Sequence, residues 1–409
     1  MSLKVGALIS KWNQTSLVLR ILIGLVLGTI LGLTVPQWKA IGVLGIVFVS
    51  ALKAIAPILV AVLVAASIAK AGGGLGARFR TVIFEYLLST FLAAFSAVIG
   101  SFLFPIKLQL SDVVDDAAPG ALSDVFSHLL SNMVANPVAS LLQANYIGIL
   151  FWAIMMGVAL KLVASRQTID VVHDFSKVIT QIVKWVIQFA PFGILGLVFK
   201  SVSESGMDVF STYGQLVLLL VGCMLTTAFV FNPLISFLML RRNPYPLLFT
   251  CLKVSGLQAF FTRSSAANIP INLSLCKKLG LDEEFYSVSI PLGATINMNG
   301  AAVTVTVMTL AVAHTVGVEV SFLSALFLSL IATLAACGAS GVAGGSLLLI
   351  PMACSFLNIG NDVAMQAVAV GFIIGVIQDS VETALNSSGA VFFTATAEYH
   401  ARNVNMLTS

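Results

Sequence analysis

Along most of this chain the apolar residues neither alternate nor recur on one face. They run together in long blocks separated by short polar breaks. A helix needs about 20 consecutive, mostly apolar residues to cross the hydrocarbon of a bilayer. Blocks of that size cover 16–35, 40–69, 81–105, 144–163, 177–201, 213–240, 284–313 and 362–396, which predicts eight transmembrane helices in an all-α integral membrane protein. Two further stretches, 245–278 and 321–357, are apolar at both ends but broken in the middle. The first break holds Arg263-Ser264-Ser265 and Pro270; the second is Gly338-Ala339-Ser340-Gly341-Val342-Ala343-Gly344-Gly345-Ser346. Broken backbone at membrane depth survives only against protein or a water-filled cavity. Each stretch is therefore expected to be a re-entrant hairpin of two half-helices.

Charge placement tests that count. With eight crossings, the loops on one side hold Lys70, Arg78, Arg80, Lys161, Arg166, Lys177, Arg241, Arg242, Lys277 and Lys278. The other side holds Lys39, Lys107 and Lys200 with Asp112, Asp115, Asp116, Asp124, Glu204 and Asp208. Basic loops face the cytoplasm, so both termini are expected inside. The first hairpin then opens from the cytoplasm and the second from outside. Paired broken segments of this kind point to a transporter's midplane site. The segment 108–145 reads as a polar external connection. Lys4, Lys11 and Arg20 ahead of the first apolar block suggest a signal peptide, but no small-x-small cleavage site follows. The block reads as an uncleaved first helix.

Composition sharpens the class. Of 409 residues, 58% are hydrophobic and only 9% charged, against about 25% charged in soluble domains. The net charge of +4 is spread through short loops, which speaks for topology and against nucleic acid. Cys223, Cys251, Cys276, Cys337 and Cys354 lie inside apolar stretches with no paired spacing, so neither a disulfide framework nor a metal site is supported. No lysine follows Gly344-Gly345-Ser346, which excludes a phosphate loop. His128, His173, His314 and His400 are scattered. An intramembrane protease would need catalytic groups facing each other across helices.

The chemistry concentrates in the last block. Asp379, Glu382, Thr383 and Asn386 are spaced i, i+3, i+4 and i+7, so they share one helix face. Charges in a span are rare and mark function; the plainer reading is an interhelical hydrogen-bond network. Arg263, at the first hairpin's tip, is an available cation. Ser264 and Ser265 open its second half-helix, whose free N–H groups suit a carboxylate. An amino acid's α-carboxylate fits there, with Asp379 for its α-ammonium. In the seventh block, Gly293-Ala294-Thr295-Ile296-Asn297-Met298-Asn299-Gly300 suggests local unwinding that exposes oxygens to an alkali cation; a tolerated kink is the plainer reading.

These residues resemble a known family, the dicarboxylate/amino acid:cation symporters, which include glutamate transporters. Phe261-Thr262-Arg263-Ser264-Ser265 resembles its serine-rich first-hairpin tip. Pro291-Leu292-Gly293-Ala294-Thr295-Ile296-Asn297-Met298-Asn299-Gly300 is similar to its seventh-helix signature, and Gln188-Phe189-Ala190-Pro191-Phe192-Gly193 to its fifth helix. The resemblance implies a homotrimeric elevator transporter with inverted repeats in a bacterial cytoplasmic (inner) membrane. Residues 1–80 and 108–210 would form the scaffold. The transport domain would comprise 81–107 and 211–409, with both hairpins and the second hairpin as outer gate. It also implies substrate contacts from Arg263, Ser264, Ser265, Ala301, Val342, Gly344, Asp379, Glu382, Thr383 and Asn386. Sodium would be held by Gly293, Thr295, Asn297, Met298, Ala336, Cys337, Ala339 and Asn386.

The departures from the family set the expected substrate. Glutamate-type members carry arginine where Glu382 stands, pairing the substrate's side-chain carboxylate, and threonine where Ala301 stands. They have aspartates in place of Asn299 and Ala390, both sodium ligands, so two sodium sites are altered while the one near Met298 is kept. The expectation is sodium-coupled uptake of a small neutral amino acid, chiefly serine and threonine, and also alanine. No organic cofactor, enzyme activity or nucleic-acid partner is expected. Acidic amino acid or dicarboxylate uptake is disfavoured by Glu382. An ion channel between scaffold and carrier is the alternative from another class, which saturable accumulation against a gradient would exclude.

Overall fold

The computed structural model describes residues 15–70, 77–110, 133–337, 339 and 344–408, and every regular element among them is helical. Val342, Gly338, Ser340, Gly341 and Ala343 of the second hairpin lie outside the described residues, as does 111–132 of the external connection.

The chain opens with α1 (Leu17–Thr34), a 3-10 turn and α2 (Gly42–Lys70). After α3 (Ala77–Leu103) come the short α4 (Pro137–Leu142), α5 (Tyr146–Val163), α6 (Arg166–Gln188) and α7 (Ala190–Ser205). The α1–α7 contact is built on glycines four apart. A Cβ on Gly24 would lie 2.2 Å from Pro191 O, and one on Gly28 2.5 Å from Leu195 O. Small residues let membrane helices approach this closely. Helices α5, α6 and α7 all pack on α2.

The expected fifth crossing, 177–201, is not one helix. It is bent by 52° between α6 and α7. Pro191 has no N–H and its ring crowds the preceding turn, so the helix restarts there. α6 is also amphipathic: Asp174 and Lys177 form an exposed pair at 2.8 Å while Ile179, Val183 and Ile187 are buried. Among the described residues, five helices are long and apolar enough to cross a membrane, or six if the bent pair counts as one span; Leu19–Thr34 and Ile147–Val163 are shorter apolar helices. The protein is a multi-pass membrane protein; the figure of eight crossings goes beyond this length criterion.

The second half begins with α8 (Val209–Thr226), a π-helical turn (Thr227–Phe231) and α9 (Asn232–Leu240). The first broken stretch forms α10 (Tyr245–Cys251), another π turn (Leu252–Gly256), α11 (Leu257–Thr262) and α12 (Ser265–Lys278). π-bulges frequently sit at functional sites; the first of these leads into buried Asn232 and the second contains buried Ser255. The seventh block forms α13 (Glu283–Ile296) and α14 (Asn299–Thr315), with Asn297 and Met298 out of helical conformation between them. The second broken stretch contributes α15 (Phe322–Ala336), a 3-10 turn (Ser346–Leu349) and α16 (Ile350–Phe356). The long α17 (Asn361–Thr408) closes the chain. It packs on α3, α8, α11, α13, α14 and α16.

Candidate functional site

Three irregular points of the backbone converge on the middle of α17. The first is Arg263, which ends α11 in the left-handed region at φ 51°. That conformation costs a non-glycine residue roughly 1–2 kcal/mol. It turns the chain back so that Ser264 caps α12, its Oγ accepting from the Ala267 N–H at 3.2 Å. The arginine at this bend is buried, and its Nε donates to Asp379 Oδ2 at 2.7 Å.

The second point is Gly344, at φ +74°. Its N–H donates to the other Asp379 oxygen at 3.2 Å. A side chain here would be strained, and its Cβ would sit 2.8 Å from the Phe372 ring. Asp379 is thus gripped from both hairpins. The sequence placed Asp379 against an incoming ammonium with Arg263 free for a carboxylate; in the structure the two pair directly with each other.

The third point is the Asn297–Met298 break. It frees the Gly300 N–H, which donates to Asn386 Oδ1 at 2.8 Å. Asn386 Nδ2 reaches Met298 Sδ at 3.5 Å, and Asn297 Nδ2 donates to Asn386 O at 2.8 Å. Asn297 Oδ1 is buried and, among the described residues, without a partner. Cys337 Sγ approaches Ile296 O at 3.8 Å, bringing the second hairpin to the break. The rest of the expected sodium set is less convergent. Thr295 is exposed, its hydroxyl donating to Leu292 O. Gly293 O accepts from Asn297 N–H and Ala336 O from Ala339 N–H. Ala301 is fully buried beside Gly300.

Glu382 lies one turn beyond Asp379. Its Oε2 accepts from Thr304 Oγ1 at 2.7 Å, Ser346 Oγ at 2.9 Å and Gln378 Nε2 at 2.5 Å. Helix α14 touches α17 here: a Cβ on Gly300 would lie 2.7 Å from Glu382 Cα. The Thr383 hydroxyl, a candidate for substrate, donates to Asp379 O in its own helix at 2.7 Å.

Two neighbouring clusters were not legible as site chemistry. Asn299 Nδ2 donates to Ser89 Oγ at 2.5 Å and its Oδ1 accepts from Thr90 at 3.2 Å, while Ser89 donates to Asn232 Oδ1 at 2.5 Å. Asn268 and Asn272 of α12 donate to Ser387 Oγ at 2.7 and 3.0 Å. The i, i+4 spacing of Asn268 and Asn272 puts them on one helix face, but Ser387, like Ser89, Thr90 and Asn232 around Asn299, comes from a separate element. Glu85 is different. It is a charge inside the third apolar block, so the rule that singled out Asp379 finds it too. Glu85 is fully buried, and neither carboxylate oxygen has a partner among the described residues.

The family follows from the whole chain. Residues 17–399 match the model of the sodium:dicarboxylate symporter family. This chain belongs to that family. It is 56% identical over 391 residues to a serine/threonine transporter SstT of Bifidobacterium adolescentis, covering 95% of this chain and 91% of that protein. A serine/threonine transporter SstT of Streptococcus thermophilus is 55% identical over 392 residues, covering 95% of this chain and 97% of that one. These relatives are transporters, and the chain is a membrane transporter, not an enzyme.

Proposed function

We propose that this protein takes up small neutral amino acids, chiefly serine and threonine, by symport with sodium, the substrate lying between Arg263, Asp379 and Glu382. The observation that carries the reading is Glu382, a buried carboxylate at the position where acidic-substrate relatives place arginine. A substrate with a side-chain carboxylate would meet repulsion there, whereas a hydroxyl would meet an acceptor. The names of the two relatives, serine/threonine transporters, agree with this preference.

In this reading the Asp379–Arg263 pair is the zwitterion receptor. The α-carboxylate takes Arg263 and the first-turn N–H groups of α12. The α-ammonium takes Asp379. Two carboxylates, one guanidinium and a zwitterion leave one negative charge, which a single sodium ion neutralises. A neutral cargo avoids part of the cost of carrying charge through low dielectric. The satisfied amide of Asn299 and the methyl of Ala390 replace anionic ligands, so further sodium would be poorly held. Met298, Asn386 and the unpaired Asn297 oxygen support the retained ion's place, with carbonyls of the second hairpin.

Transport would follow an elevator scheme in a homotrimer, in the bacterial cytoplasmic membrane with both termini inside and eight crossings. Helices α1, α2, α5, α6 and α7 would be the scaffold, and α3 with α8 to α17 the moving part. The way α5, α6 and α7 gather on α2, and α3 on α14 and α17, supports that division. The test is uptake of labelled L-serine, L-threonine and L-aspartate into proteoliposomes under sodium, potassium and proton gradients. Sodium-dependent serine and threonine uptake without aspartate uptake is expected; aspartate competing as strongly as serine refutes it.

A further inference from the structure

We propose that Gln378, Thr304 and Ser346 are positioning residues that hold Glu382 as the acceptor for the substrate's side-chain hydroxyl. The proposal rests on the neutral amino acid reading and names the groups that set its specificity. A buried carboxylate needs donors on its oxygens. Here three neutral donors converge on one oxygen, Oε2. The other oxygen, Oε1, has no hydrogen bond among the described residues and is not among the buried unpartnered atoms. The carboxylate is thus anchored by one oxygen and presents the other.

The anchor has an internal order. Gln378 Nε2 has two hydrogens, and its acceptors are Glu382 Oε2 and Thr304 Oγ1, the latter at 2.7 Å. Thr304 accepts from Gln378 and has two acceptors for its single hydrogen, Gly300 O at 3.0 Å and the charged, nearer Glu382 Oε2 at 2.7 Å, to which it donates. Gln378 Oε1 is left buried and unpartnered. Leaving such an acceptor unmet costs about 1–3 kcal/mol, so packing alone does not favour the arrangement. The amide faces Glu382 because an acceptor stands there. Ser346, the third donor, reaches in from the second hairpin. The three donors come from α17, α14 and the hairpin, so the carboxylate is fixed in three directions.

A fixed acceptor discriminates by what the substrate donates. Serine and threonine give a hydroxyl hydrogen to Oε1. Alanine leaves that oxygen desolvated without a partner, and a site built for a hydroxyl rejects the analogue lacking it. An ionised side-chain carboxylate has no hydrogen to give and repels. Loosening the anchor should therefore weaken serine more than alanine.

The experiment uses the full chain in proteoliposomes. It measures the KM for labelled L-serine and the Ki of L-alanine as competitor, in the unaltered protein, Thr304→Val, Gln378→Met, Ser346→Ala and Thr304→Ser. A charge-assisted hydrogen bond corresponds to a fold-change of about ten or more. We expect the Ki-to-KM ratio to fall by about tenfold in Thr304→Val and Gln378→Met, less in Ser346→Ala, and to be restored in Thr304→Ser. An unchanged ratio in all variants overturns the proposal, as does parallel weakening of serine and alanine, which is the mark of a merely structural role. If the unaltered chain takes up no serine with sodium, the functional reading fails; if it does and the ratio stays put, only the positioning shell fails.

Discussion

Replacing Asp379 by asparagine removes one charge from a pair in which both side chains are at most 8% exposed. Two losses follow. Arg263 is left buried without its counter-charge, and breaking such a pair costs about 3–5 kcal/mol in stability. The substrate ammonium loses a charge-assisted bond of about 1.5–3 kcal/mol, which is roughly ten- to 150-fold in affinity. Sodium-dependent serine binding by the purified protein measures the second loss, and thermal unfolding with size-exclusion chromatography the first. The double variant Arg263→Gln/Asp379→Asn separates the roles. It restores neutrality, so stability should recover, while serine binding should stay weak because neither the ammonium nor the α-carboxylate keeps its charged partner. Wild-type serine affinity in the double variant would show that Asp379 serves only to neutralise Arg263, and the zwitterion assignment would be wrong.

The remaining predictions concern charge. Glu382→Arg should abolish serine inhibition of uptake and introduce inhibition by aspartate; retained serine preference contradicts the specificity assignment. Reversal potentials should give one sodium per serine, with roughly 2.3 kcal/mol gained per 100 mV for the charge moved; a ratio of two or more would mean that the Asn299 cluster still binds an ion. Glu85→Gln should insert, assemble and transport normally, since no partner of Glu85 among the described residues is lost; lost uptake in an intact protein would make Glu85 a working carboxylate. At the start of α13, a hydrogen bond from Arg78 at 2.8 Å holds the Asp282 carboxyl below its ordinary range. That stabilisation is present above the unfolded value near 3.9 and is lost as pH falls through the lowered folded value. Asp282→Asn should therefore unfold more readily than the parent at neutral pH, and the gap should close in acid; an undiminished gap in acid contradicts the pair's role.

Most of the fold was legible because lipid imposes a simple rule on the sequence. Apolar blocks became helices, and the Gly/Ser/Asn breaks became the points where the backbone leaves the helix. Pro191 was read as part of a family motif and not as a bend, so 177–201 was taken as one straight crossing. On the site side, the stripe Asp379, Glu382, Thr383 and Asn386 could be read because the residues share one helix. Arg263 could be read because a charge at a hairpin tip needs a reason. Thr304 and Gln378 inside apolar segments, and Ser346 as the last residue of the second break, could not: neutral polar residues carry no such signal until folding brings them to one carboxylate. Arg263 was read as a cation available to the carboxylates, but its direct bond to Asp379 was not drawn. Sequence reasoning gave each charge to the ligand, whereas two buried opposite charges within reach pair with each other first.

In the proposed function a sodium gradient drives a neutral hydroxylated amino acid through this site. The most direct test is labelled L-serine accumulation in proteoliposomes with an inward sodium gradient and the membrane potential clamped at zero. Serine rising above its external concentration, and collapsing when sodium is equalised or replaced by potassium, is the predicted result. Serine that only equilibrates, at a rate that neither saturates nor responds to sodium, would contradict it.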